Sequence, residues 1–198
     1  LSPVLQQPFS VAVGNISIPL WLTRSGGGGG NRTVQVTLAN SVTGTIGTAT
    51  RTISPPTGTT PGEFVFVVAN AAATPFPAGS SFTLTIRVTS GSSGNQVQVH
   101  PRGTGTGNYS RVVLDSTTVI NVDSVAAYDA AWPGGAGGSP FVPGATAHVR
   151  AVVSDPFGSF DISAVRLTVL DPSGAVALAN QAMLRVADSG AASATFEY

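Results

Sequence analysis

The chain reads as an all-β protein built of two β-sandwich domains, the first jelly-roll-like or Ig-like and the second Ig-like. Three observations lead there. Apolar residues recur at every second position in short runs, and helical spacing is almost absent. Clusters of Gly, Pro, Asn and Ser separate those runs at short intervals. Charged residues make up only 9% of the chain, against about 25% in an ordinary domain, so Ser, Thr, Asn and Gly must carry the surface.

The runs follow in order. Phe9 to Val13 is short and extended. Ile16, Ile18, Leu20 and Leu22 alternate, with Pro19 suggesting an edge strand or a bulge, because proline cannot donate to a ladder. Five glycines at 26–30 make a hairpin tip. Val34, Val36 and Leu38 point inward and Gln35 and Thr37 outward. Thr45 to Ile53 is Thr-rich and edge-like, and the Pro/Gly-rich stretch 54–62 is a loop. Glu63 to Ala69 is apolar on both faces, the pattern of a buried central strand. Phe82, Leu84, Ile86 and Val88 alternate with Thr83, Thr85, Arg87 and Thr89, which predicts the first four as core. Gln96 to His100 and Arg111 to Leu114 are joined by a Gly-rich loop at 101–108, and Thr118 to Val125 is again extended.

A boundary near residue 121 divides the chain into domains 1–121 and 122–198. The Pro/Gly-rich stretch 129–144 then lies inside the second domain. Strand signals resume at Ala147–Val153, Ile162–Leu170, Ala175–Leu178, Met183–Val186 and Ala194–Tyr198, with Val149, Leu167 and Val169 predicted as core. The second domain holds about 77 residues, short of the roughly 100 of an immunoglobulin-type sandwich. Ala194–Tyr198 therefore predicts an unpaired edge. It would be covered by residues beyond 198, by an extended segment such as 1–9 of a neighbour, or by edge pairing in an assembly.

Composition excludes much chemistry. All nine basic residues are arginine, and lysine and cysteine are absent. No P-loop lysine, Schiff-base lysine, cysteine nucleophile or disulfide framework is possible. Net charge is zero, which disfavours nucleic acid as a partner. No apolar run approaches the roughly 20 residues of a membrane-spanning helix. A start at Leu1 without Met, and a polar uncharged surface, point to a secreted or cell-surface protein.

Candidate sites are few. His100 and His148 are the only histidines, no G-x-S-x-G elbow accompanies them, and Ser92 and Ser93 read as a hairpin turn. Glu63 and Glu197 are the only glutamates, and most aspartates sit in turn sequences such as Asp155-Pro156 and Asp171-Pro172-Ser173-Gly174. A non-enzymatic protein without a resident cofactor is expected. Calcium is the alternative for Asp123, Asp155 and Asp161, because sandwich loops supply oxygen ligands, although no D-x-D-x-D-G string is present. Among the aromatics, Trp132, Phe141 and Tyr109 are the candidates for stacking on a sugar ring; for Trp132 and Phe141 a lid over the core is the favoured reading.

One resemblance adds to this. Val125-Ala-Ala-Tyr-Asp-Ala-Ala-Trp-Pro-Gly-Gly, Phe141-Val-Pro-Gly, His148-Val-Arg-Ala-Val-Val-Ser-Asp-Pro-Phe-Gly-Ser-Phe-Asp-Ile and Leu170-Asp-Pro-Ser-Gly resemble the Ig-like conserved-repeat modules of large exported bacterial surface proteins. The resemblance covers roughly residues 122–198 and implies fold and export, with no activity and no functional residue. It suggests a structural or adhesion segment whose partners are other surface modules or further copies of itself. The alternatives are a carbohydrate-binding module and a surface filament subunit assembled by strand exchange.

Overall fold

The computed structural model describes residues 4–26, 30–90, 96–103, 105, 108–116, 119–138 and 141–198. The expected turn at Ser92–Ser93 and the centre of the glycine run lie outside them. Among the described residues there are fourteen strands and one 3-10 turn, with no α-helix and no closed barrel. The chain forms two compact units. Leu1–Val4 with Ser10–Thr117 make the first, and Leu5–Phe9 with Thr118–Tyr198 make the second.

The first unit is built on two three-stranded antiparallel sheets. In one, β2 (Gly14–Arg24) lies between β5 (Gly62–Asn70) and β8 (Val97–His100). In the other, β3 (Arg32–Asn40) lies between β4 (Gly44–Ile53) and β7 (Phe82–Ser90). The short strands β1 (Phe9–Val11) and β6 (Thr74–Phe76) pair with each other. Alternation sets the core: Ile16, Ile18, Leu20 and Leu22 of β2, Phe66 and Val68 of β5, and Val34, Val36 and Leu38 of β3 are all buried. Each such side chain contributes about 1.5–3 kcal/mol. Gly47 marks where the sheets close: a Cβ there would stand 2.5 Å from Val68 Cγ1.

Three expectations are corrected in this unit. Pro19 sits in the central strand. Its carbonyl accepts from Arg111 N (3.0 Å), so the side on which its missing N–H falls faces the irregular segment around residue 111, and the ladder to β5 loses nothing. β8 borders β2 only from Trp21 to Arg24. Conversely β5 is an edge strand, and Val65 and Val67 on its outer face are exposed. β7 is also an edge; only Phe82 is buried, Leu84 and Ile86 are half-buried, and Val88 is exposed.

The second unit is a four-stranded sheet in the order β13 (Leu184–Asp188), β14 (Ser193–Glu197), β10 (His148–Ser154), β9 (Asn121–Tyr128). The hairpin β11 (Arg166–Leu170) with β12 (Val176–Ala182) forms a separate two-stranded sheet. The core joins Ala151, Val153, Ala194 and Phe196 of the sheet to Ile162 and Met183, with Val149, Val165 and Leu167 packed against it. Val169, also expected inside, is exposed, because the hairpin leaves the core after Leu167. The segment Leu5–Phe9 belongs here too: Gln6 N donates to Pro156 O (2.7 Å), and the Phe9 ring meets Phe157 edge-on at 5.3 Å.

The C-terminal strand is not an open edge. β14 is paired on both sides, to β10 from Ser193 to Glu197 and to β13 from Ala194 to Glu197. The open side is at β9. Gly138 N closes onto Ala127 O and Gly137 bridges Tyr128, but among the described residues no strand is bonded to the outer side of β9 before Ala127. Val125 and Val122 lie opposite Ala151 and Val153, on the core face of the sheet, yet they are 60% and 57% exposed. The covering layer stops one strand short of β9.

Candidate functional site

The face of the four-stranded sheet opposite the core carries the most developed polar cluster. Strand alternation turns Val149, Ala151 and Val153 to the core and Arg150 to the other side. Glu197 lies directly opposite Arg150 in the ladder, so the two side chains meet on that face. Arg150 Nε donates to Glu197 Oε2 at 2.6 Å, and Arg150 is only 6% exposed. Its Nη2 donates to the carbonyls of Ala130 (2.8 Å) and Gly134 (2.6 Å). Its guanidinium stacks 3.9 Å above the Tyr128 ring and lies 5.3 Å from the Trp132 ring. A buried charge is tolerable only when paired and hydrogen-bonded in this way.

Glu197 is shared. Trp132 N donates to both carboxylate oxygens, at 2.9 and 3.2 Å, and His148 Nδ1 stands 3.8 Å from Oε1. Burial pushes the Glu197 carboxyl up. The hydrogen bonds from Arg150 and from the Trp132 amide, with the positive charge of Arg150, outweigh that and hold it below the usual carboxylate range.

These bonds fix the loop at 129–138. Asp129 Oδ1 accepts from Ala136 N (2.7 Å), and Gly134 N donates to Ala131 O (2.9 Å). Gly135 has φ 90, and a Cβ there would come within 2.9 Å of the Ala130 backbone, so the tight turn requires glycine. The Trp132–Pro133 peptide is cis. Trp132 is therefore not a lid over the core. It stands on the far face of the sheet, anchored by its own backbone, with 42% of its surface exposed.

The other candidates fall elsewhere. Phe141 is exposed, in the same Pro/Gly-rich stretch. Tyr109 is in the first unit, with Arg102 5.7 Å from its ring centroid. Asp123 Oδ1 accepts from Asn121 (2.8 Å) and Ser154 (2.9 Å). Asp155 Oδ1 accepts from Phe157 N (2.8 Å); burial raises its carboxyl, that bond opposes the shift, and the charge of Asp161 adds to it. Among the described residues no three His, Cys, Asp or Glu side chains form a group able to hold a metal.

His100 Nε2 lies 2.8 Å from Thr23 Oγ1, and that hydroxyl donates to Gln98 Oε1 (3.2 Å). Thr23 Oγ1 thus sits between Gln98 and His100, and these contacts tie β2 to β8. Thr23 is fully buried. The neighbouring Trp21 lies beneath Gly103, where a Cβ would stand 2.2 Å from the indole, and its Nε1 is buried with no hydrogen-bond partner among the described residues.

Comparison of the chain with protein-family models, with curated proteins and with solved structures returns no match. Among the described residues no helix is long and apolar enough to cross a membrane. Alternation and composition alone do not single out Arg150 or the role of Glu197. A signal was present: a charge inside the apolar run Val149–Val153, and a glutamate in a chain that has only two.

Proposed function

We propose that the protein is a non-enzymatic structural or adhesion segment of an exported cell-surface protein, with Ig-like sandwich modules. The observation that carries this is how its scarce charges are used. Arg150 and Glu197 fasten a loop to a sheet. Asp171 accepts from Ser173 N, Ser173 Oγ and Ala175 N within its own turn. Arg185 bonds Ser159 O and Oγ and pairs with Asp188. Charged groups that brace backbone are what a scaffold that resists force or proteolysis needs. Antibody raised against the chain should label intact cells of the producing organism, and broad hydrolase and glycosidase screens should give background. Confinement to the cytosol, or turnover abolished by His100→Ala or His148→Ala, would overturn the reading.

A second reading, self-association by strand addition, is favoured by β9. Among the described residues its outer side is open before Ala127, and the exposed Val122 and Val125 extend the core face. A second copy adding a strand there would bury both. Sedimentation should then show concentration-dependent dimers or polymers that Val125→Lys abolishes; a monomer at all concentrations removes this reading.

A further inference from the structure

We infer that Trp132 is the platform of a binding site for the pyranose ring of a neutral glycan. The site lies on the face of the second unit's sheet away from the core. Trp132 is the one large side chain in the sequence Asp-Ala-Ala-Trp-Pro-Gly-Gly-Ala-Gly-Gly at 129–138, so nothing bulky within its own loop shields the indole. It remains 42% exposed although the loop is fastened from beneath by Arg150 and Glu197. Arg150 is buried and lies on the protein side of the ring. The exposed surface is therefore a rigid aromatic plane, and little ordering entropy opposes ligand binding.

The surroundings define the ligand. Leu184 lies opposite Glu197 in the ladder, hence on the same face, and is 72% exposed. His148 lies opposite Tyr128 one row along, with its side chain 26% exposed. An indole and a leucine offer apolar contact to the C–H faces of a sugar ring, and the imidazole offers hydrogen bonding to hydroxyls. Among the described residues the one arginine of the cluster, Arg150, is buried and already paired to Glu197, so no free guanidinium is left there to attract a uronate, sialate or sulfate group. A tryptophan anchor for a protein partner is usually ringed by contacts that exclude water; here the Arg150, Glu197 and His148 side chains lie beside it on the same face, which favours the sugar.

The inference does not depend on where the protein resides, so its failure and that of the surface-scaffold reading are separable. The test uses the full chain carrying Trp21→Phe, which leaves Trp132 as the sole indole. It is titrated with neutral gluco-, manno- and galacto-oligosaccharides, and with an oligogalacturonate as the acidic control. A saturable change in tryptophan emission is expected with at least one neutral series and none with the acidic one. Isothermal titration on the natural sequence should show Trp132→Ala weakening binding about fivefold or more, the equivalent of one aromatic stacking contact. Leu184→Ser, at an exposed site that does not support the fold, should weaken it about threefold. No saturable signal with any neutral series at about 10 mM, where a site of about 1 mM Kd would be about nine-tenths filled, overturns the proposal. So does binding that survives both variants, or a response to a folded protein partner alone.

Discussion

Glu197→Gln is the sharpest test of how the second unit is held together. The substitution keeps the shape of the side chain and removes its charge. Arg150 then stays buried, with two carbonyl acceptors, the Tyr128 and Trp132 rings, and no counter-ion. Removing one partner of a buried ion pair costs about 3–5 kcal/mol. The retained carbonyl bonds and the 3.9 Å stack on Tyr128 put this case at the low end, about 3 kcal/mol. For a unit of about 80 residues each kcal/mol moves the midpoint by about 4–8 °C, so a fall of about 12–24 °C is expected. Thermal melts followed through Trp132 in a Trp21→Phe background read that unit directly. The pH dependence carries a second check. The folded carboxyl lies below its ordinary value, so its contribution is complete above about pH 4.3 and is lost as pH falls through the folded value. The gap between the two proteins should therefore be present at about pH 5 and close in stronger acid. A midpoint change under about 3 °C, or a gap unchanged at about pH 2, would refute the clamp as the loop's main restraint.

Asp155 should respond in the opposite sense. Burial raises its carboxyl, so the folded unit binds that proton more tightly than the unfolded chain, and the cost of its charge disappears as pH falls through the folded value. Asp155→Asn, which keeps an oxygen for the Phe157 amide, should raise the melting midpoint near neutrality and not in acid; a loss at neutral pH would contradict this. Gly47→Val should destabilise the first unit by about 1–3 kcal/mol or more, because its Cβ would meet Val68 Cγ1 at 2.5 Å. Chemical denaturation followed by Trp21 emission measures it, and an unchanged midpoint would mean the sheets are not closed there.

The strands were legible because a period of two survives in sequence whatever the neighbours are. Burial depth was not, because it depends on what covers the face. Val88 and Val169 alternate correctly and are still exposed, the one on an edge strand and the other on a two-stranded hairpin. Val65 and Val67 made β5 look central, yet sheet order puts it at an edge. Pro19 misled in the other direction. A proline is excluded from a central strand only where a regular neighbour needs its N–H, and β8 has ended by that point. Chain length and the strand-like alternation of Ala194–Tyr198 point to an open edge at β14, whereas β13 folds back beside β14 and the open side is at β9.

The clamp was hidden for a further reason. Arg150 and Glu197 are 47 positions apart, and only the antiparallel register of β10 with β14 sets them face to face. What alternation alone reveals is that both lie on the non-core side of their strands. That side is normally left to water, and on the first unit it is: Thr33 meets Thr52 at 3.3 Å and Thr37 meets Thr48 at 3.1 Å across β3 and β4, and Arg87, opposite Gln35, is exposed. Against that solvated pattern a buried guanidinium–carboxylate pair is an exception that calls for a cause. The cause visible in the geometry is the loop above it. A ten-residue glycine-rich segment has little apolar surface with which to dock itself, and Arg150 supplies the docking by hydrogen-bonding two of its carbonyls while Glu197 holds the amide of its single tryptophan.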